Sequence, residues 1–323
     1  MIKRLLLLLA LFLPASTHLP GSAHAAAWPE RPITLVVPFA AGGITDLLAR
    51  LTAERLTNTF GKPFVVENVV GAAGTLATER VARAKPDGYT LLFATITQIT
   101  VAPFLNKITY DPIADFKPVA IVATSPFVIS VSANFPANNL AEFVAHVKKH
   151  QGKLTYGTAG AGSLSHLSSA VFLKRAGLDM VMVPYKGVAP AFNDLLGGNV
   201  HMVSATPVEL KPFIGTDKLK YLGTSGANRS TVMPDVPAIA ETYPGHDIET
   251  WNGVVAPSGT PADIIDALAR EITAAENDPK FVERLKTLGV DPIRVAKDEF
   301  AALIARNMEE WRKRVADMGL QAQ

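Results

Sequence analysis

Residues 35–46 read Leu-Val-Val-Pro-Phe-Ala-Ala-Gly-Gly-Ile-Thr-Asp, and a helical pattern follows at once. An apolar strand from Ile33 to Val37 runs into a glycine turn, and the turn opens a helix. Glycine lets backbone approach a ligand closely. The first turn of a helix presents N–H groups with no helical partner and partial positive charge. That chemistry suits a carboxylate or phosphate. The plain alternative is a tight strand-to-helix connection.

A second element repeats the design. Leu154-Thr-Tyr-Gly-Thr-Ala-Gly-Ala-Gly-Ser-Leu-Ser-His166 passes from a strand through small residues into a helix carrying Leu167, Val171 and Phe172. Two such elements, one per lobe, could pinch an anion between them. Neither loop contains Lys or Arg. Backbone N–H groups, hydroxyls and water would then hold the anion, and charge-assisted bonds of that kind are strong without a fixed counter-charge.

Other chemistries fit less well. Gly160-Ala-Gly162 begins like a dinucleotide fingerprint, but Ser165 takes the third glycine position. No phosphate-loop G-x-x-x-x-G-K-[ST], G-x-S-x-G nucleophile elbow or H-E-x-x-H is present. Ser163 and His166 could form a nucleophile–base pair, but a capping serine beside a partly buried histidine is the simpler reading. His146 and His150 lie four apart, with Lys148 and Lys149 between them and no acidic ligand nearby, which favours a solvated helix face over a metal site. No metal, cofactor or catalytic residue is expected.

The elements that must position these loops alternate along the chain. Strand-like runs fall at 34–37, 64–67, 90–94, 119–123, 128–131, 154–157, 180–184, 200–204, 220–224 and 253–256. Amphipathic helices separate them, which argues an α/β fold. Leu140, Phe143, Val144 and Val147 mark one helix, capped by Asn138 or Asn139. Phe300, Ile304, Met308, Trp311 and Val315 mark a C-terminal helix ending at Gly319. With no low-complexity linker, two lobes would join through ordered crossings near 124–127 and 247–252.

The N-terminus carries Lys3 and Arg4, an apolar run from Leu5 to Leu13 and Ala23-His24-Ala25. This reads as a signal peptide cleaved near Ala25, leaving a soluble exported protein. The run is short for a membrane span, and no cysteine follows to carry a lipid. Of 31 Lys+Arg, two fall in residues 1–25, so 29 remain against 29 Asp+Glu. The mature chain is formally neutral, without a basic field for nucleic acid or anionic membrane. Zero cysteines exclude a disulfide framework, thiol catalysis and thiolate metal sites.

From Trp28 onward the chain resembles the periplasmic solute receptors of the tripartite tricarboxylate transporter family, the Bug receptors. The resemblance rests on Trp28-Pro-x-Arg-Pro-Ile33, Val36-Val-Pro-Phe-Ala-Ala-Gly-Gly-x-x-Asp46, Ala84-Lys-Pro-Asp-Gly-Tyr-Thr-Leu-Leu92 and Tyr110-Asp-Pro-x-x-Asp-Phe-x-Pro-Val119. It continues in Val183-Pro-Tyr-Lys-Gly187, Asp194-Leu-Leu-Gly-Gly198 and Pro234-Asp-Val-Pro237. It implies a two-lobed periplasmic-binding-protein fold of type II-like architecture with the ligand in the cleft. The expected division is a signal peptide over 1–25, lobe 1 from 26–125 plus 250–323, and lobe 2 from 126–249.

The resemblance also implies the ligand contacts. In lobe 1 they are Phe39, Ala40, Ala41, Gly42, Gly43, Thr45 and Asp46. In lobe 2 they are Thr158, Ala159, Gly160, Ala161, Gly162, Ser163 and His166, with Tyr185 from the Val183–Gly187 motif. Thr45 is expected to cap the helix. Asp46 would repel a carboxylate, so its expected part is to stabilise the first turn and order the loop. Two stretches depart from the family pattern. Where relatives often read Thr-His-Ala-Ile-Asn-Pro, this chain has Gln98-Ile-Thr-Val-Ala-Pro103; where they read x-Val-Asp-x-Met-Phe-Asp-Asn, it has Asn199-Val-His-Met-Val-Ser-Ala-Thr206. Thr97, Gln98 and Ala205 are therefore expected on an altered distal wall. Ala205 in place of an aspartate would favour a ligand without an ammonium group; neutral packing outside the cleft is the alternative.

The implied function is capture of a small carboxylate by lobe closure and its delivery to membrane transporter subunits, by a monomer that is not an enzyme. The rival readings are an exported α/β hydrolase and a ligand-presenting partner of a membrane sensor kinase.

Overall fold

The structure, a computed structural model, describes residues 28–318. The expected signal peptide and the helix stop at Gly319 lie outside the described residues.

The strands are β1 Ile33–Val37, β2 Phe64–Asn68, β3 Thr90–Thr95, β4 Phe116–Pro126, β5 Val128–Ser132, β6 Thr155–Thr158, β7 Val181–Pro184, β8 Met202–Ala205, β9 Leu219–Thr224, β10 Glu249–Pro257 and β11 Asp291–Ala296. They form two sheets, ordered β11-β4-β10-β3-β1-β2 and β7-β6-β8-β5-β9. The helices are α1 Ile44–Phe60, α2 Thr75–Ala82, α3 Ala102–Leu105, α4 Leu140–Lys149, α5 Leu164–Ala176, α6 Val188–Leu196, α7 Pro207–Leu210, α8 Ala262–Ala274, α9 Pro279–Thr287 and α10 Lys297–Asp317.

Each sheet is buried on both faces, as helix-covered parallel strands must be. Side chains alternate across β1 and sort between two cores. Ile33, Leu35 and Val37 pack with Leu48 of α1 and Leu268 of α8. Val36 faces the other way, with Val81 of α2 and Phe300 and Trp311 of α10. The second sheet sorts likewise: Tyr156 and Met202 join Phe143 and Phe172, while Val203 joins Phe192 and Leu195 of α6. Asn139 caps α4, its side chain accepting from Glu142 N at 2.9 Å.

The strand β11 was not among the sequence expectations. It lies on the edge of its sheet, carries Pro292, and shifts register between Pro292 and Val295. Proline is tolerated on an edge strand, but it removes the alternating signature that makes a strand readable.

The chain crosses from the first sheet to the second at Phe127, between β4 and β5, and returns through residues 225–248. Ser225 ties the two crossings together. Its Oγ accepts from Phe127 N at 2.8 Å and donates to the carbonyl of Ile248.

Candidate functional site

In the first sheet β1, β2 and β3 are mutually parallel, and in the second β6, β7 and β8 are parallel. Ligands of open α/β sheets bind beyond the carboxyl ends of such strands, where connecting loops open helices. Both glycine elements sit there, after β1 and after β6.

The first loop leaves β1 at Val37 and enters α1 at Ile44. Ala40, Ala41, Gly42 and Gly43 are exposed, and Phe39 is half-buried. Gly42 has φ +86°, a conformation glycine adopts without Cβ strain. Gly43, in extended conformation, is the N-cap residue of α1. Thr45 is therefore not the cap: it lies in the first helical turn and is buried, too far along for its side chain to serve the N-terminus.

Asp46 is the organiser of this loop. It is 1% exposed, and its carboxylate is taken up by partners within the first lobe. One carboxylate oxygen accepts from Gly42 N and Arg50 Nε, both at 2.9 Å; the other accepts from Asn68 Nδ2 at 2.9 Å. Asn68 Nδ2 also reaches the carbonyl of Phe39 at 2.9 Å. Burial works to raise the Asp46 carboxyl, but the bonds from Arg50, Gly42 and Asn68 outweigh it and hold the group below the usual carboxylate range. The negative charge of Asp46 is thus satisfied within the loop and its supporting strand.

A third loop, residues 69–74, escaped the sequence reading. It joins β2 to α2 and places Gly71, Ala72 and Gly74 at positive φ. A Cβ at Gly74 would lie 2.5 Å from Gln98 Nε2 and 2.9 Å from Pro38 Cβ, so the loop packs closely on the first one. The signal was present: Gly71-Ala-Ala-Gly74 between a strand and a helix mirrors Ala40-Ala-Gly-Gly43.

Gln98 is fully buried and does not form an exposed wall. Its Oε1 accepts from Thr95 N and Thr95 Oγ1, and its backbone carbonyl accepts from Tyr110. It braces the end of β3 against the loop at Gly74. Its neighbour Thr97 is half-buried at the start of the π-helical turn Thr97–Val101.

In the second lobe Ser163 caps α5, accepting from His166 N at 3.2 Å. Its Oγ donates to the carbonyl of Gly160 at 2.7 Å, while Gly162 N donates to His166 Nδ1 at 3.0 Å. The Ser163 hydroxyl and the His166 ring therefore serve different partners, and no nucleophile–base bond joins them. Burial pushes the His166 imidazole down, which keeps the ring neutral as an acceptor must be. Ala159 N donates to Ser165 Oγ and Gly160 N to Thr158 Oγ1, so much of this loop is braced internally. Ala161 is its exposed member.

Tyr185 N donates to the carbonyl of Thr158 at 2.9 Å, bringing the Val183–Gly187 motif beside this loop. Its hydroxyl donates to Asp194, so it offers a ligand a ring face more readily than a hydrogen bond. The second loop lies against α3 of the first lobe: a Cβ at Gly162 would lie 3.6 Å from Leu105 Cδ1, and Leu164, Leu167 and Val171 of α5 share a cluster with Phe104 and Leu105.

Ala205 is corrected. It is fully buried in the core formed with Val128, Phe192 and Leu210. Alternation along β8 turns it toward α6, while Ser204 faces α5 and lies 3.4 Å from Ser168 Oγ. This position fits the alternative of neutral packing outside the cleft. His201 likewise lies at the far end of the sheet, where its Nδ1 accepts from Thr155 N at 3.1 Å. Among the described residues no group of three His, Asp or Glu side chains is placed to hold a metal ion.

The chain's relatives share this frame. The family model described as the tripartite tricarboxylate transporter family receptor matches residues 48–320. The protein BugT of Bordetella pertussis is 33% identical over 323 residues, covering 98% of each chain. A Rhodopseudomonas palustris protein, Rpa4515, solved with adipate, is 32% identical with TM-score 0.80, covering 92% of this chain and all of its own. MatC from the same organism, with bound malate, is 34% identical with TM-score 0.74, covering 89% of this chain and all of its own. The two sheets are the two lobes of a periplasmic binding protein, and the chain belongs to the tripartite tricarboxylate transporter family of receptors.

Proposed function

We propose that this receptor captures a small dicarboxylate between the loops after β1 and β6 and delivers it to the membrane subunits of a tripartite transporter. The supporting observation is the pair of glycine loops at the carboxyl ends of parallel strands, one per sheet, each opening a helix and neither carrying Lys or Arg. The adipate and malate held by relatives are acids of the class such loops suit. In this reading the lobes comprise residues 26–125 with 250–323, and 126–249. Sheet membership supports the division, because β5 to β9 form the second sheet and the other strands the first. Closure excludes water and strengthens the bonds from backbone donors. The working form is a monomer in the periplasm after removal of residues 1–25; family membership and the Lys3–Ala25 pattern support that location.

The test is mass spectrometry of small molecules released from the purified protein, followed by thermal shift with adipate, malate, tricarboxylates and aromatic acids. A rise in Tm with a diacid is expected. A flat response to every carboxylate, or ester turnover abolished by Ser163→Ala, would overturn the reading. Ligand-dependent pull-down of a sensor kinase instead of transporter subunits would redirect it to signalling.

A further inference from the structure

Glu249 opens β10, where the returning crossing enters the first sheet, paired in register with Pro126 at the end of the outgoing strand. Its carboxyl is packed against the loop that leaves Ser225: a Cβ at Gly226 would lie 2.2 Å from Glu249 Oε1. A cavity of about 310 Å3 adjoins it, lined by Thr124, Trp251, Ile293, Leu303 and Trp311. The carboxyl thus sits where the two covalent connections between the lobes pass each other.

The surroundings favour its neutral form. Burial, then the charges of Asp247 and Asp291, push the Glu249 carboxyl up to about 7, and a hydrogen bond with Thr124 of β4 opposes them only in part. Asp291, on β11, accepts from Ser230 Oγ at 2.7 Å and Thr231 N at 2.8 Å. The arginines nearby are committed elsewhere. Arg229 in the crossing loop pairs with Glu241 at 2.7 Å. On α10, Arg314 pairs with Glu310 at 3.3 Å and donates to the carbonyl of Asp247, and Arg306 lies 4.0 Å from Glu310. Glu299 of α10 adds a further negative charge to the cavity wall. His246 is buried with a strongly lowered imidazole and contributes no cation.

We propose that Glu249 is a proton-binding site at the lobe crossing, its neutral form favouring the packed crossings and its ionised form favouring their separation. Glu249 is half-buried, and its ionised carboxylate needs more water than the packed crossing leaves it; parting of the loop at 226–231 from β10 would supply that water. Proton loss would thereby bias the lobes toward an open arrangement. The consequence for ligand retention rests on the cleft reading above, but the device itself does not require a ligand.

The chain has no cysteine, so two can be introduced for dyes without interference. Asn58→Cys on α1 and Lys148→Cys on α4, both exposed, would report the lobe separation by energy transfer. In the ligand-free protein, transfer should change with pH about a midpoint near 7. Glu249→Gln should be pH-independent over that range and match the acid form. Asp247→Asn, which removes a repelling charge from an exposed side chain, should move the midpoint to lower pH. An identical pH response in wild type and Glu249→Gln, or none in wild type, would overturn the proposal. Should Glu249→Gln not fold, an unmoved midpoint in Asp247→Asn would do so. These outcomes are read without ligand, so they are distinct from a failure to bind carboxylates.

Discussion

Asp46 accepts the backbone N–H of Gly42 at 2.9 Å, reaching back from the first turn of α1 across the helix N-cap. The bond ties down a glycine at φ +86°, a conformation that other residues adopt only with strain. A negative side chain at a proposed anion site is reconciled in this way: it is buried and satisfied by Gly42, Arg50 and Asn68.

Asp46→Ala should cost about 1–2 kcal/mol of stability, the usual effect of losing a capping side chain. The dependence on pH follows from the lowered carboxyl. The wild-type contribution is fully present above the unfolded value of about 4 and is lost as pH falls through the lower folded value. Denaturant titrations at neutral and acid pH should therefore diverge in wild type more than in Asp46→Ala.

Gly43→Val addresses the loop as a binding element. A Cβ there would meet only the carbonyl of Ala40 at 3.6 Å, so the fold should be kept. The branched side chain would obstruct an anion approaching the backbone. Calorimetry with whichever diacid raises the Tm of wild type should show at least a tenfold loss of affinity, about 1.4 kcal/mol.

Gly74→Ala should be destabilising by about 2–3 kcal/mol. The site combines φ +91° with a Cβ position 2.5 Å from Gln98 Nε2, adding backbone strain to overpacking. A denaturation midpoint equal to that of wild type would show that Gln98 and Pro38 yield freely.

His246 should govern part of the acid response. It is 1% exposed, neither ring nitrogen finds a partner among the described residues, and burial followed by Arg175 and Arg314 pushes its imidazole down to about 4. The unfolded chain takes up the proton first, near 6.5, so stability falls as pH drops from there toward 4. His246→Phe, placed beside Phe172 and Tyr243, should flatten that slope in urea titrations across the same range.

Diacid affinity should depend weakly on ionic strength, because short bonds from backbone donors are little screened. A steep fall between low and high salt in calorimetry would point to an exposed cationic site outside residues 39–46 and 158–166.

Local pattern alone marked most strands and both glycine loops. Alternating apolar residues report burial within a few positions, and a glycine turn between strand and helix is a local event; residues 33–46 show both. The edge strand β11 was hidden because Pro292 and a register shift erase that pattern. Long-range packing decided the rest. Ala205 is read as wall or core only once β8 is placed between β6 and β5 and its alternation fixed against α6. Gln98 looks like a polar cleft residue until Gly74, Thr95 and Tyr110 enclose it. Glu249 stands in sequence as an ordinary strand-opening glutamate. The upward push on its carboxyl comes first from burial and then from Asp247, a neighbour in sequence, and Asp291; the packing against Gly226 and the nearness of Asp291 exist only where the lobes cross, because burial and charge act through space.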